Sequence, residues 1–141
     1  MVRWLVVGVV LSAACVDPMA VVLNPLHVIN WSPSSGAICV DPSFPIHVTF
    51  SDNLEVDTLT PKTFKLLEAA GSVAAQIDYD ERVSTAILIP DQALDYARQY
   101  TIVVTSGVSG REVGPLPVDL ESSCKTIART GSRTPEPTCQ L

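Results

Sequence analysis

Residues 45–51 read Pro-Ile-His-Val-Thr-Phe-Ser, and this stretch decides the fold class. Ile46, Val48 and Phe50 fall on one side, and His47, Thr49 and Ser51 on the other. Strict alternation over this length is the mark of a half-buried strand. Residues 99–105, Gln-Tyr-Thr-Ile-Val-Val-Thr, are rich in β-branched residues and tyrosine, which predicts a central strand.

Working outward, further short β-like runs are separated by turn signals. His27 to Trp31 ends at Ser32-Pro33-Ser34-Ser35-Gly36, and Ala37 to Val40 ends at Asp41-Pro42. Thr63 to Glu68 puts Phe64 and Leu66 on one face. Val73 to Tyr79 alternates Val73, Ala75, Ile77 and Tyr79. Thr85 to Ile89 stops at Pro90, Asp91 to Tyr96 reads as a helical turn at a corner, and Asp119 to Ile127 forms the last strand. The spacing predicts an all-β sandwich of about seven strands over residues 27–127. Gly107, Gly110, Gly114 and Pro115 read as a long loop. No helical stripe of useful length follows residue 20, and no internal repeat is present. Residues 128–141 hold almost nothing apolar and are expected to be disordered.

The charge narrows the partners. The chain of 141 residues has a formal net charge of −6, and the loss of Arg3 with residues 1–14 makes this −7. An acidic surface without a basic cluster repels phosphate backbones, which argues against nucleic-acid binding.

Residues 1–15, MVRWLVVGVVLSAAC, start with the cation Arg3. The apolar run from Leu5 to Leu11 that follows is too short to span a bilayer, and Ser12-Ala13-Ala14 leads into Cys15. This resembles a bacterial lipoprotein signal, with Leu11 four positions before the cysteine where three is usual. The resemblance implies a signal peptide over 1–14, a lipid on Cys15, a tether over 15–26, and export to the cell envelope, at the outer membrane. The alternative is an ordinary secretory signal and a secreted chain.

The four cysteines are Cys15, Cys39, Cys124 and Cys139, with no CxxC pair, so a cysteine-rich zinc or redox site is not expected. Cys39 and Cys124 border strands near the two ends of the domain. A disulfide between them would close a loop of about 85 residues, on the order of 4–5 kcal/mol in the chain-entropy model.

A second resemblance rests on order and spacing. Ile29-Asn30-Trp31-Ser32-Pro33 is followed by Gly36-Ala37, then by residues 46–51 with Leu54. Thr63-Phe64-Lys65-Leu66 comes next, then Leu88-Ile89-Pro90 with Leu94. Tyr100 to Val104 leads to Gly107-Val108 and Gly114-Pro115-Leu116. This pattern resembles the bacterial Ig-like domain of the surface-layer protein type, also called the SbsA-like Ig-like domain. It implies an immunoglobulin-like Greek-key β-sandwich. Leu94 and Tyr100 then read as a tyrosine corner, in which the tyrosine folds over a strand corner and its hydroxyl bonds upstream backbone. The family's last strand ends in an aromatic and Thr, where this chain has Cys124-Lys125-Thr126.

No constellation for catalysis stands out. There is no GxSxG elbow, no GxGxxG, and only two histidines, His27 and His47. Asp52, Glu55 and Asp57 cluster after the Phe50 strand and are the calcium candidates, although no DxDxDG loop is present. The expectation is therefore a non-catalytic structural or binding module with no cofactor, held at the membrane by its lipid, with a protein or glycan partner. The alternatives are a calcium-dependent glycan- or protein-binding module and a small secreted hydrolase using loop carboxylates.

Overall fold

A computed structural model of the chain describes residues 24–129. The expectations placed on 1–14, on Cys15, on most of the tether and on the tail beyond Arg129 lie outside the described residues.

Two sheets form the body. In the first, the order is β1 (Val28–Ser32), β3 (Ile46–Phe50), β7 (Thr85–Pro90), β6 (Ala75–Asp80), with each neighbouring pair antiparallel. In the second, the order is β2 (Ala37–Val40), β11 (Leu120–Thr126), β8 (Gln99–Val104), β4 (Phe64–Glu68), β5 (Gly71–Ser72). Its pairs are antiparallel except β2 with β11, which run parallel. A third, two-stranded piece joins β9 (Ser109–Gly110) to β10 (Gly114–Pro115). Among the described residues, eight strands have four or more residues.

The period-2 pattern explains the core. Ile46, Val48 and Phe50 face inward from β3, and Ala86 and Leu88 from β7. Phe64 and Leu66 come from β4, and Tyr100, Ile102 and Val104 from β8, all nearly inaccessible to water. Burying such side chains contributes roughly 1.5–3 kcal/mol each. β8 lies between β11 and β4, as its composition predicts.

Three regions differ from the sequence reading. Asp91 to Tyr96 makes no helical turn. Leu94 N–H donates to the Pro42 carbonyl (2.9 Å) and Asp95 N–H to the Tyr100 hydroxyl (2.9 Å), so the donors a helix needs are spent elsewhere. The long glycine loop folds into the β9–β10 hairpin. Gly110 is packed so closely that a Cβ would lie 2.8 Å from Asp52 Oδ2, and Gly114 takes φ +77°, a left-handed value suited to glycine. Val56–Thr58 forms a 3-10 turn in a segment to which the sequence reading gave no element.

The fourth difference is a correction. Cys124 is a free, buried thiol, so no bond joins Cys39 to Cys124. The parallel register sets Cys124 opposite Ala37, while Cys39 lies two residues further along β2 with φ 63°. Cys124 instead turns into the core with Ser122 and Thr126, taking the place of a packed side chain. Cys39 makes its disulfide elsewhere.

Candidate functional site

Loop anchoring occupies the polar side chains first. Asp52 follows β3, and its two carboxylate oxygens accept backbone N–H groups. Oδ1 takes Asn53 (2.8 Å), and Oδ2 takes Glu112 (2.8 Å) and Val113 (3.3 Å). It therefore clamps the β9–β10 hairpin to the end of β3. Glu55 and Asp57 are exposed and do not turn toward a common point with it. Among the described residues no three His, Cys, Asp or Glu side chains gather where a metal ion could be held, which corrects the reading of Asp52, Glu55 and Asp57 as a calcium cluster.

Tyr100 and Leu94 sit together in the core. The Tyr100 hydroxyl accepts the Asp95 N–H five residues upstream, and burial pushes its pKa upward. Thr126 reinforces the same corner: its hydroxyl donates to the Asp95 carbonyl (2.5 Å) and accepts the Arg98 N–H (3.0 Å). Trp31 is half-buried against the core. Tyr96 is exposed, with the Arg129 guanidinium carbon 5.3 Å from its ring centre.

A second tyrosine corner escaped the sequence reading. Tyr79 on β6 donates its hydroxyl to Asn53 Oδ1 (3.0 Å) and accepts the Leu54 N–H (2.9 Å), while Ser84 Oγ also donates to Asn53 Oδ1 (3.1 Å). Residues 26 and 31 positions from Asn53 are thereby joined, a separation no local motif signals.

Tyr79 borders one of three adjoining hollows. Two of them lie along β6, and the other lies beside Ala74, just before that strand begins. One of about 360 Å³ has Glu68, Asp91 and Tyr100 among its walls. One of about 280 Å³ is bounded by Phe64, Val73, Ala75 and Ile77. The third, about 310 Å³, is bounded by Val56, Leu59, Ile77, Asp78, Tyr79 and Glu81. Val73, Ala75, Ile77 and Leu59 are half-buried and give the groove an apolar floor.

The backbone of β6 borders this groove. The Asp91 N–H donates to the Ala74 carbonyl (3.0 Å), so residues 74 and 91 form a hydrogen-bonded pair. Bonded and non-bonded pairs alternate along an antiparallel ladder. Gln76, Asp78 and Asp80 therefore bond β7, and the amides of Ala75, Ile77 and Tyr79 point away from it. Pro90, opposite Ala75, has no N–H to give, which agrees with this phase. The outward Tyr79 N–H is capped by Asp78 Oδ1 (2.8 Å). Where β6 ends, the Arg82 side chain donates to Asp80 and holds that carboxyl below the ordinary range, and Arg111 pairs with Glu81.

The comparisons with known proteins agree on architecture. The family model described as "Bacterial Ig-like domain" matches residues 23–119. Among solved structures, the methionine-rich copper resistance protein PcoC of Escherichia coli is similar at TM-score 0.60 and 17% identity, covering 73% of this chain and 99% of PcoC. The N-terminal part of the bacterial S-layer protein SbsC is similar at TM-score 0.55 and 17% identity, covering 74% of this chain and 24% of that one. An L,D-transpeptidase from Mycobacterium smegmatis is similar at TM-score 0.53 and 17% identity, covering 74% and 41%. At these identities the likeness is one of fold. No curated protein matches the sequence.

Proposed function

The chain belongs to the bacterial Ig-like domain family, and from that premise we propose that it is a non-catalytic structural and binding module, displayed on the bacterial cell envelope by a lipid on Cys15. The observation that carries the non-catalytic reading is the commitment of the polar side chains. Asp52, Asn53, Tyr79, Tyr100 and Thr126 each spend their hydrogen bonds on loop backbone or on one another. A general acid or base must keep a proton-transfer atom within reach of substrate, and side chains bound in this way hold loops instead.

The display reading rests on residues 1–15, with their cation, short apolar run and small residues before Cys15. A single acyl chain binds membranes only marginally, so stable display needs more than one. The acidic chain brings no basic patch to supply the second signal. Mass spectrometry of the N-terminal peptide, taken from the membrane fraction of a bacterium expressing the full chain, tests this. The expected result is a Cys15 N-terminus carrying acyl chains. An unmodified Cys15 on chain recovered in the soluble fraction would defeat the display reading.

A further inference from the structure

We propose that the outer edge of β6 is a docking strand that takes an extended, basic peptide segment of another protein into the groove between the sheets. This rests on the binding-module reading and names its surface and the chemistry of its partner.

Among the described residues the two main sheets have four edge strands: β1, β6, β2 and β5. β1 shifts register between Val28 and Asn30, and β2 pairs irregularly with Cys39 at positive φ. β5 has two residues. Such short or irregular edges are poor templates for an added strand. β6 is different, with six residues in unbroken register with β7. Its outer side presents the N–H and C=O groups of Ala75 and Ile77, with the next donor, on Tyr79, closed by Asp78. A short added strand thus has two residues to pair with. Alternate side chains of that strand would meet the apolar floor made by Val73, Ile77 and Leu59.

Charge chooses the occupant. The groove is bordered by Glu68, Asp91 and Asp95 at one end and by Asp78 and Glu81 at the other, against one base, Lys65. Asp95 and Glu81 have Arg98 and Arg111 as partners. Glu68, Asp91 and Asp78 form no ion pair among the described residues, and all three line the groove. Complementary potential favours lysine or arginine there and disfavours a second, equally acidic copy of this edge.

The test is a titration of the full, isotope-labelled chain with an eight-residue peptide alternating Lys and Val, against its Glu/Val counterpart. Binding is read by fluorescence anisotropy and by amide shifts. The Lys/Val peptide is expected to bind, with shifts centred on Ala75 and Ile77, and the Glu/Val peptide to bind at least about tenfold more weakly. Ile77→Pro removes an outward N–H that β7 does not use, and it should weaken binding about tenfold. Should that variant fail to fold, Glu68→Gln with Asp91→Asn, both outside the hydrogen-bond clamps, should weaken it several-fold and reduce its salt dependence.

Equal binding of the two peptides, shifts centred on another strand, or no binding at all would overturn the proposal. So would a concentration-dependent dimer protecting the same amides, which would give the edge to a second copy. Peptide binding by a chain whose Cys15 is unmodified would leave the docking edge standing and remove only the lipid anchor.

Discussion

Two tyrosines in this molecule tie a loop to a strand, and they do it in opposite ways. Tyr100 is buried in the middle of the five-stranded sheet, and its hydroxyl receives the N–H of Asp95, an exposed residue. Tyr79 is half-buried on an edge strand, and its hydroxyl receives the N–H of Leu54, whose side chain is wholly buried. At position 100 the ring does most of the work, because it fills core. At position 79 the hydroxyl does, because the donor it satisfies belongs to a residue sealed from water. The same side chain thus serves packing on the closed part of the sandwich and polar satisfaction on the open part.

The largest expected effect separates the rings. Tyr100→Ala should cost about 3–5 kcal/mol, the range for emptying an aromatic core site. Tyr79→Ala should cost roughly 2 kcal/mol, since that ring is only partly buried against the core. Urea denaturation midpoints measure both, and equal losses would break the comparison. The next effect reverses the order. Tyr79→Phe should cost about 1–2 kcal/mol, leaving the Leu54 N–H unpaired, and Tyr100→Phe about 0.5–1 kcal/mol, because water can reach Asp95. A larger loss at position 100 would show that the two hydroxyls were ranked wrongly.

A smaller effect appears only in alkali. Burial raises the Cys124 thiol above its ordinary 9.0, and burial likewise raises Tyr100. The unfolded chain therefore ionises first. Stability is full below the unfolded values and is lost as pH rises through them toward the folded ones. Stability measured from pH 7 to 11 should decline above pH about 9, and Cys124→Ala should flatten the early part of that decline. An unchanged slope in the variant would mean that the thiol is not shielded as described.

How much of this was legible in the sequence depended on distance along the chain. β3 and β8 were readable because each buries one face, and burial writes itself as alternation. The Leu94 and Tyr100 corner was readable because its partners lie within a few residues. The Tyr79–Asn53–Ser84 cluster was not, since it depends on which loop folds beside which strand end. The Cys39 and Cys124 pairing failed for a related reason. Both residues border strands, yet the parallel register of β2 on β11 and the inward turn of Cys124 keep the two sulfurs from facing each other. The acids after β3 looked like a cation cluster in one dimension. In three dimensions Asp52 is the clamp of a hairpin 60 residues away. Carboxylates that accept backbone donors and carboxylates that gather round an ion are spelled with the same letters.

Native-state hydrogen exchange along β6 tests most directly whether the sandwich is closed at β8 and open at β6. The amides of Gln76, Asp78 and Asp80 should exchange slowly, and those of Ala75 and Ile77 quickly, in alternation. Uniform protection of all of them would mean that the edge is already covered, and uniform fast exchange would mean that β6 is not part of the sheet.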